Sequence, residues 1–329
     1  MPRKLAAKQT LHVFWYHPIV SPPRSWDKWN DFIWHFARHL IARYGVDEVS
    51  QWYFEVWNEP NLNFWAGDPK QETYYKLYDV TAWALKGVSS RLPVGGPATA
   101  QAAWIASFIQ HCVENHVPLD FVSTHVYGND TAQNVLGTGE SVPRTQMVCR
   151  AARKVHDEVT ASPEPNLPII WSEYNASYKN ETDVTHSTFM GPWLADTIRQ
   201  CDGLTDMMSY WAFSDVFEEQ GVVKKPFYGG FGLIAEDQLP KPSFNALKLL
   251  HHRPGADRGE LGFGAGDAAE RWHACRSSLE PISAGGERRA ENGDNCGERL
   301  VESTPRARFA SGFDAWLLAA RVRRHGRPH

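Results

Sequence analysis

Trp52-Tyr-Phe-Glu-Val-Trp-Asn-Glu-Pro-Asn61 decides how this chain of 329 residues reads. It opens as an apolar, β-branched and aromatic run, the pattern of a buried strand. It closes on Asn58-Glu59-Pro60. Proline cannot donate to a sheet ladder and restrains the residue before it, so the strand is expected to stop near Glu59. A carboxylate then stands at the C-terminal lip of a buried strand, among aromatic residues. Apolar surroundings raise a carboxylate's pKa, which suits a general acid near neutral pH. The plainer alternative is a strand-end glutamate that is only solvated or salt-bridged.

Ile169-Ile-Trp-Ser-Glu-Tyr-Asn175 repeats the pattern, with Glu173 at the end of an apolar run. Glu59 and Glu173 are 114 residues apart, with strands expected near 93 and 120 between them. They therefore belong on opposite sides of a barrel mouth, not on neighbouring strands. Two carboxylates facing each other across a cleft meet the requirement of glycoside hydrolysis. One protonates the leaving oxygen, and the other attacks or activates water. Two unrelated strand-end glutamates are the alternative.

Working outward, strands are expected near 11–16, 52–58, 92–96, 119–125, 167–173 and 207–213. Helices are expected at 27–44, 72–90, 103–115, 143–160, 189–201 and 241–251, from apolar spacing at helical period. In the first helix the apolar positions are Trp29, Phe32, Ile33, Phe36 and Leu40, and Gly45 marks its end. Pro242 falls where a helix start tolerates proline. Strands alternating with helices imply parallel βα units, six in all. Polar residues collect at the strand C-termini, where a βα-barrel keeps its active site. A doubly wound sheet is the rival, but no strand is followed by a glycine-rich phosphate loop.

Together, Phe54-Glu-Val-Trp-Asn-Glu-Pro-Asn-Leu62, Ser123-Thr-His-Val-Tyr127 and Ile170-Trp-Ser-Glu-Tyr-Asn-Ala176 resemble the β-xylosidases of glycoside hydrolase family 39. So do Val13-Phe-Trp-Tyr16 with Val20-Ser-Pro-Pro23, Val94-Gly-Gly-Pro-Ala-Thr99, and Tyr210-Trp-Ala-Phe-Ser-Asp215 through Glu218-Glu219. The likeness covers about residues 11–252. Asn-Glu-Pro alone is shared by many barrel glycosidases, whereas the ordered set is specific. The resemblance implies a (β/α)8 TIM barrel and a retaining, double-displacement release of terminal β-linked xylose. It implies Glu59 as acid/base, Glu173 as nucleophile, and Asn58 on the sugar 2-hydroxyl. His125 and Tyr127 would line the glycone site, Trp211 would offer a stacking face, and Glu218 and Glu219 would accept sugar hydroxyls. Residue by residue, His125 could instead be a satisfied core histidine, Trp211 ordinary core, and Glu218-Glu219 a solvated loop. No cofactor is expected, and no metal, since no HxxxH or HxH pair supports one.

By the family's count, 11–16 corresponds to barrel strand 3, the Asn-Glu-Pro strand to strand 4 and the Glu173 strand to strand 7. Strands 1 and 2 are then missing, as is the family's β-sandwich. The domain expectation is an incomplete barrel over 1–252 and a low-order tail over 253–329. The tail holds 13 Arg and no Lys, against 9 Arg and 12 Lys in the preceding residues. It shows no strand alternation, so disorder is expected. An open sheet has two unpaired edges, and a fragment of this kind is expected to be weakly active or prone to aggregate.

Net charge is -4, which gives no reason to expect a nucleic-acid partner. Fourteen Trp favour a carbohydrate ligand, since indole faces stack on sugar rings. Cys112, Cys149, Cys201, Cys275 and Cys296 show no metal spacing and read as free thiols of a reducing, cytoplasmic compartment. No run is long enough to span a membrane. The partner is a small carbohydrate, and a homo-oligomer is allowed. The alternatives are an α-L-iduronidase-like or other barrel glycosidase, and a non-catalytic sugar-binding remnant. An excess of Arg, Ala and Gly is what a GC-rich gene yields when read out of frame. Resequencing is expected to uncover a strand-coding frame after codon 252, and an intact frame with no such alternative overturns this.

Overall fold

A computed structural model describes residues 1–217, 219, 221 and 225–251 of the chain. The expected tail over 253–329 lies outside the described residues. Helices and strands follow one another as α1 (Trp26–Tyr44), α2 (Val46–Val49), β1 (Phe54–Glu55), α3 (Lys70–Val88), β2 (Val94–Thr99), α4 (Ile105–Glu114) and β3 (Phe121–Tyr127). After these come α5 (Ala132–Leu136), α6 (Arg144–Thr160), β4 (Ile169–Asn175), α7 (Thr182–Thr185), α8 (Met190–Cys201), β5 (Met207–Tyr210) and α9 (Pro242–His251). All strand pairs are parallel, in the order β1-β2-β3-β4-β5.

The sheet curves steeply. In a flat sheet β1 and β4 would lie about 14 Å apart, three strand spacings of about 4.8 Å. Yet Ser172 Oγ on β4 donates to Glu55 Oε1 on β1 at 2.5 Å. The five strands are therefore an arc of a barrel wall, concave toward these two side chains. Helices cover the convex face. One core cluster joins β3 and β4 to α4, α6 and α8 through Ile109, Val122, Val126, Val155, Trp171, Tyr174 and Trp193. A second joins α1 and α3 to Val56 and Val94 through Trp29, Ile33, Tyr74, Leu77 and Tyr78. The buried phenols are satisfied, Tyr74 donating to Val56 O and Tyr78 to Pro118 O, both at 2.9 Å.

α1 starts where Ser25 Oγ accepts the Lys28 N–H and ends at Gly45, whose φ of 85° favours glycine. Its buried stripe is Trp29, Ile33 and Ala37. Phe32 and Phe36, expected on that stripe, are 40% and 44% exposed and stack on each other instead. Spacing of four from Trp29 selects the face that meets α3, where Trp29 Nε1 donates to Thr81 Oγ1.

The strand expected at 11–16 does not form. Phe14 and His17 have φ of 54°, in the left-handed region that breaks an extended run. The segment turns back on itself, with Val20 N–H donating to Leu11 O and Val13 N–H to Pro18 O. Trp15 and Tyr16 are left 49% and 51% exposed. The parallel units among the described residues are thus five, not six. The other expected strands and helices form, with shifts at their ends. No helix among the described residues is long and apolar enough to cross a membrane, and Cys112, Cys149 and Cys201 are free thiols.

Beyond β5 the chain is held by a buried ion pair. Lys241 Nζ lies 2.9 and 3.1 Å from the Asp215 carboxylate oxygens and donates to Gly230 O at 2.8 Å. Asp215 Oδ1 also accepts the Gly232 N–H. Asp215→Ala would leave an uncompensated buried ammonium, so a loss of about 3–5 kcal/mol is expected in chemical denaturation. A loss below about 1 kcal/mol would mean that the pair is not needed.

Candidate active site

The two glutamates reach the concave side by different local means. Beyond β1, Val56 N–H donates to Gly95 O and Glu59 N–H to Ala98 O, so the chain keeps following β2 past the last ladder residue. Glu59 itself has a φ of 43°, a left-handed backbone that a non-glycine residue adopts at a cost of about 1–3 kcal/mol. Asn61 clamps the turn, donating to Ala100 O and accepting the Ala100 N–H. The segment after Glu59 is thereby tied to the end of β2.

Glu173 depends on a register shift. Thr124 pairs with Trp171, but the next residue, His125, pairs with Glu173, so β4 carries one residue more than β3 at Ser172. Trp171 and Tyr174 both enter the helix-side core. Ser172 and Glu173, which simple alternation would put on opposite faces, both face the concave side. An extra residue of this kind is a recurrent way of re-aiming side chains beside a site. On β3, His125 and Tyr127 are two apart and share a face.

These four residues meet. His125 Nδ1 lies 3.1 Å from Glu59 Oε1 and 3.5 Å from Glu173 Oε2. Tyr127 OH donates to Glu173 Oε1. Ligand atoms of Glu59, His125 and Glu173 all fall within 4.8 Å of one another, and all three residues are buried. Burial pushes the Glu173 carboxyl up to about 7, and Glu59 and Glu219 add to this, while His125 and the Tyr127 hydroxyl pull it down. Burial acts to lower His125, but Glu173, Glu59 and Glu55 outweigh it and raise the imidazole to about 9. Burial and the Glu173 charge hold Tyr127 well above the usual phenol range, so it stays a donor. Three such ligands could surround a cation. His125 Nδ1 lies between both carboxylates, so a protonated imidazole there would also supply positive charge to the pair.

The remaining sequence-predicted residues fall around this centre. Asn58 is exposed beside Glu59. Trp211 is half-buried, with its ring edge-on to Phe217 at 5.1 Å, and its carbonyl accepts from Asn175 Nδ2. Glu219 is close enough to Glu59 that their repulsion, after burial, raises its pKa. Glu218 lies outside the described residues. The sequence did not single out Glu55 or Ser172. The signal for Glu55 was a charge inside an apolar strand, whereas Ser172 gave none, because its orientation comes from the register shift.

With the geometry in place, comparison with known proteins finds that residues 1–257 match the family described as Glycosyl hydrolases family 39. The chain belongs to that family. The structure of a monomeric β-xylosidase from Caulobacter crescentus CB15 superposes with a TM-score of 0.71 at 40% identity, covering 77% of this chain and 52% of that one. A β-xylosidase of Geobacillus stearothermophilus is 42% identical over 259 residues, 76% of this chain and 51% of the relative. Human α-L-iduronidase is 27% identical over 161 residues, 44% of this chain and 24% of the relative. The chain thus spans about half the length of the β-xylosidases it matches.

Raising His125 from 6.5 to about 9 makes its protonation a stability term. That term is fully present below about pH 6.5 and is lost as pH rises through about 9. His125→Asn is expected to flatten the decline in stability over this window, measured by urea unfolding at a series of pH values. An unchanged decline would show that His125 is not the titrating group.

Proposed function

We propose that the chain carries the catalytic pair of a retaining glycosidase that releases terminal β-linked xylose. The observation that carries this is the close approach of Glu59 and Glu173. Their nearest oxygens fall within the 4.8 Å cluster around His125. Retaining enzymes keep their carboxyl groups about 5–5.5 Å apart, while inverting ones need about 6.5–9.5 Å to admit a water. In the first step Glu173, ionised, attacks the anomeric carbon and Glu59, protonated, donates to the leaving oxygen. In the second, Glu59 takes a proton from water as that water releases the sugar from Glu173. Tyr127 donates to the nucleophile's Oε1 and so fixes its orientation. Asn58 would meet the sugar 2-hydroxyl, Trp211 would flank the ring, and Glu218 and Glu219 would accept hydroxyls. We take β1 to β5 as the fourth to eighth strands of a (β/α)8 barrel.

A xyloside suits the site better than an iduronide. Glu55, Glu59, Glu173 and Glu219 make the cleft acidic, and the charge of His125 is engaged by the pair. A glycone with its own carboxylate would be repelled. Lys225 is exposed, and Lys224 lies outside the described residues.

p-Nitrophenyl β-xyloside turnover is expected to yield β-xylose first, seen by proton NMR. Glu173→Ala should lose at least about 10³-fold in kcat and regain turnover with azide, giving an α-xylosyl azide. An inverted first product excludes retention, and no rescue excludes Glu173 as nucleophile. Because burial raises Glu173 to about 7, kcat/KM of the free enzyme should rise with pH through about 7. A limb near the ordinary carboxylate value would contradict that environment.

A further inference from the structure

Glu55 and Ser172 have no part in the proposed chemistry, yet they occupy a distinctive place. Glu55 ends β1, four residues before Glu59, and Ser172 immediately precedes Glu173 on β4. Their strands are not neighbours, since β2 and β3 separate them in the sheet. The 2.5 Å hydrogen bond from Ser172 Oγ to Glu55 Oε1 crosses the concave face directly. It does so only because β4 carries its extra residue at Ser172. Below the two carboxyls, then, β1 and β4 are joined side chain to side chain, and at the carboxyls themselves His125 bridges Glu59 and Glu173.

We propose that the Ser172–Glu55 hydrogen bond is a spacer that sets the separation of Glu59 and Glu173, with Ser172 and Glu55 acting as positioning residues. Proton donation from Glu59 must coincide with attack by Glu173, and misplacement by about 1 Å can cost about 10²-fold in rate. Backbone ladders through β2 and β3 fix the strands only in series, and register shifts interrupt the ladders from β2 to β5. A direct strut between β1 and β4 limits how far those shifts let the mouth open. Glu55 also lies within electrostatic range of His125, which Glu59 and Glu173 face from the other strands. The spacer thus helps to keep all three acidic groups around one imidazole.

The proposal rests on the retaining-glycosidase mechanism, and its signature is in leaving-group dependence. Protonation by Glu59 matters most for a poor leaving group, so kcat/KM is compared for phenyl, p-nitrophenyl and 2,4-dinitrophenyl β-xylosides. Ser172→Ala should lose at least about tenfold on the phenyl xyloside and less than about threefold on the dinitrophenyl xyloside. Ser172→Thr should restore the wild-type pattern. Glu55→Ala should match Ser172→Ala, and the double variant should be no worse than either. Glu55→Gln, which keeps an acceptor oxygen, should keep the wild-type dependence. Equal losses on all three substrates, or additive losses in the double variant, would overturn the spacer. If the wild-type chain turns over no xyloside, it is the proposed function that fails. The spacer is then read from the His125 titration by nitrogen-15 NMR. A midpoint lower by one unit or more in Ser172→Ala supports it, and an unchanged midpoint refutes it.

Discussion

Two carboxyl groups within 4.8 Å of each other in a buried site would repel if both were ionised, by about 3.5 kcal/mol at an effective dielectric near 20. His125 Nδ1, within 3.1 and 3.5 Å of their oxygens, offsets that repulsion when the imidazole is charged. The rest of the structure serves this arrangement. His125 comes from β3, Glu59 from beyond β1 and Glu173 from β4. The sheet must therefore curve until strands that are not neighbours touch. Large buried aromatics, among them Trp171, Tyr174 and Trp193, pack on its convex side. Losing one such side chain typically costs about 3–5 kcal/mol.

A second constraint acts beyond the sheet. The segment following β5 is held by backbone hydrogen bonds between residues 212–215 and 231–234 and, buried beneath them, by the Lys241–Asp215 pair. Nearby, His186 Nε2 accepts the Gly229 N–H, and burial followed by the Lys241 charge pushes its pKa down to about 4. A neutral imidazole beside a buried ammonium adds no repulsion. Asn175, the last residue of β4, donates to Trp211 O. β4, which carries Glu173, and the segment carrying Trp211 and Glu219 are therefore anchored to each other, and through Lys241 to the start of α9.

Much of this was legible in the sequence. The parallel βα order and the placement of Glu59 and Glu173 near strand ends follow from runs of apolar residues that end in polar ones, whereas the place of His125 and Tyr127 beside them came from the family resemblance. The stretch at 11–16 misled because its composition is strand-like, while its backbone turns left-handed at Phe14 and His17 and never joins the sheet. Composition reports propensity, whereas a strand also needs a neighbour to pair with. Phe32 and Phe36 misled because apolar spacing defines a wide stripe, and the packing partner α3 selects only part of it. Ser172 was invisible because a register shift is a relation between two strands, which one strand's sequence does not encode.

The left-handed backbone at Glu59 has a consequence for how this chain tolerates change. Most side chains with a Cβ are held there at an energetic disadvantage, which glycine avoids. Replacing Glu59 by glycine would therefore relieve the backbone while removing one of the two buried carboxylates, so local conformational preference and the composition of the site oppose each other at this position.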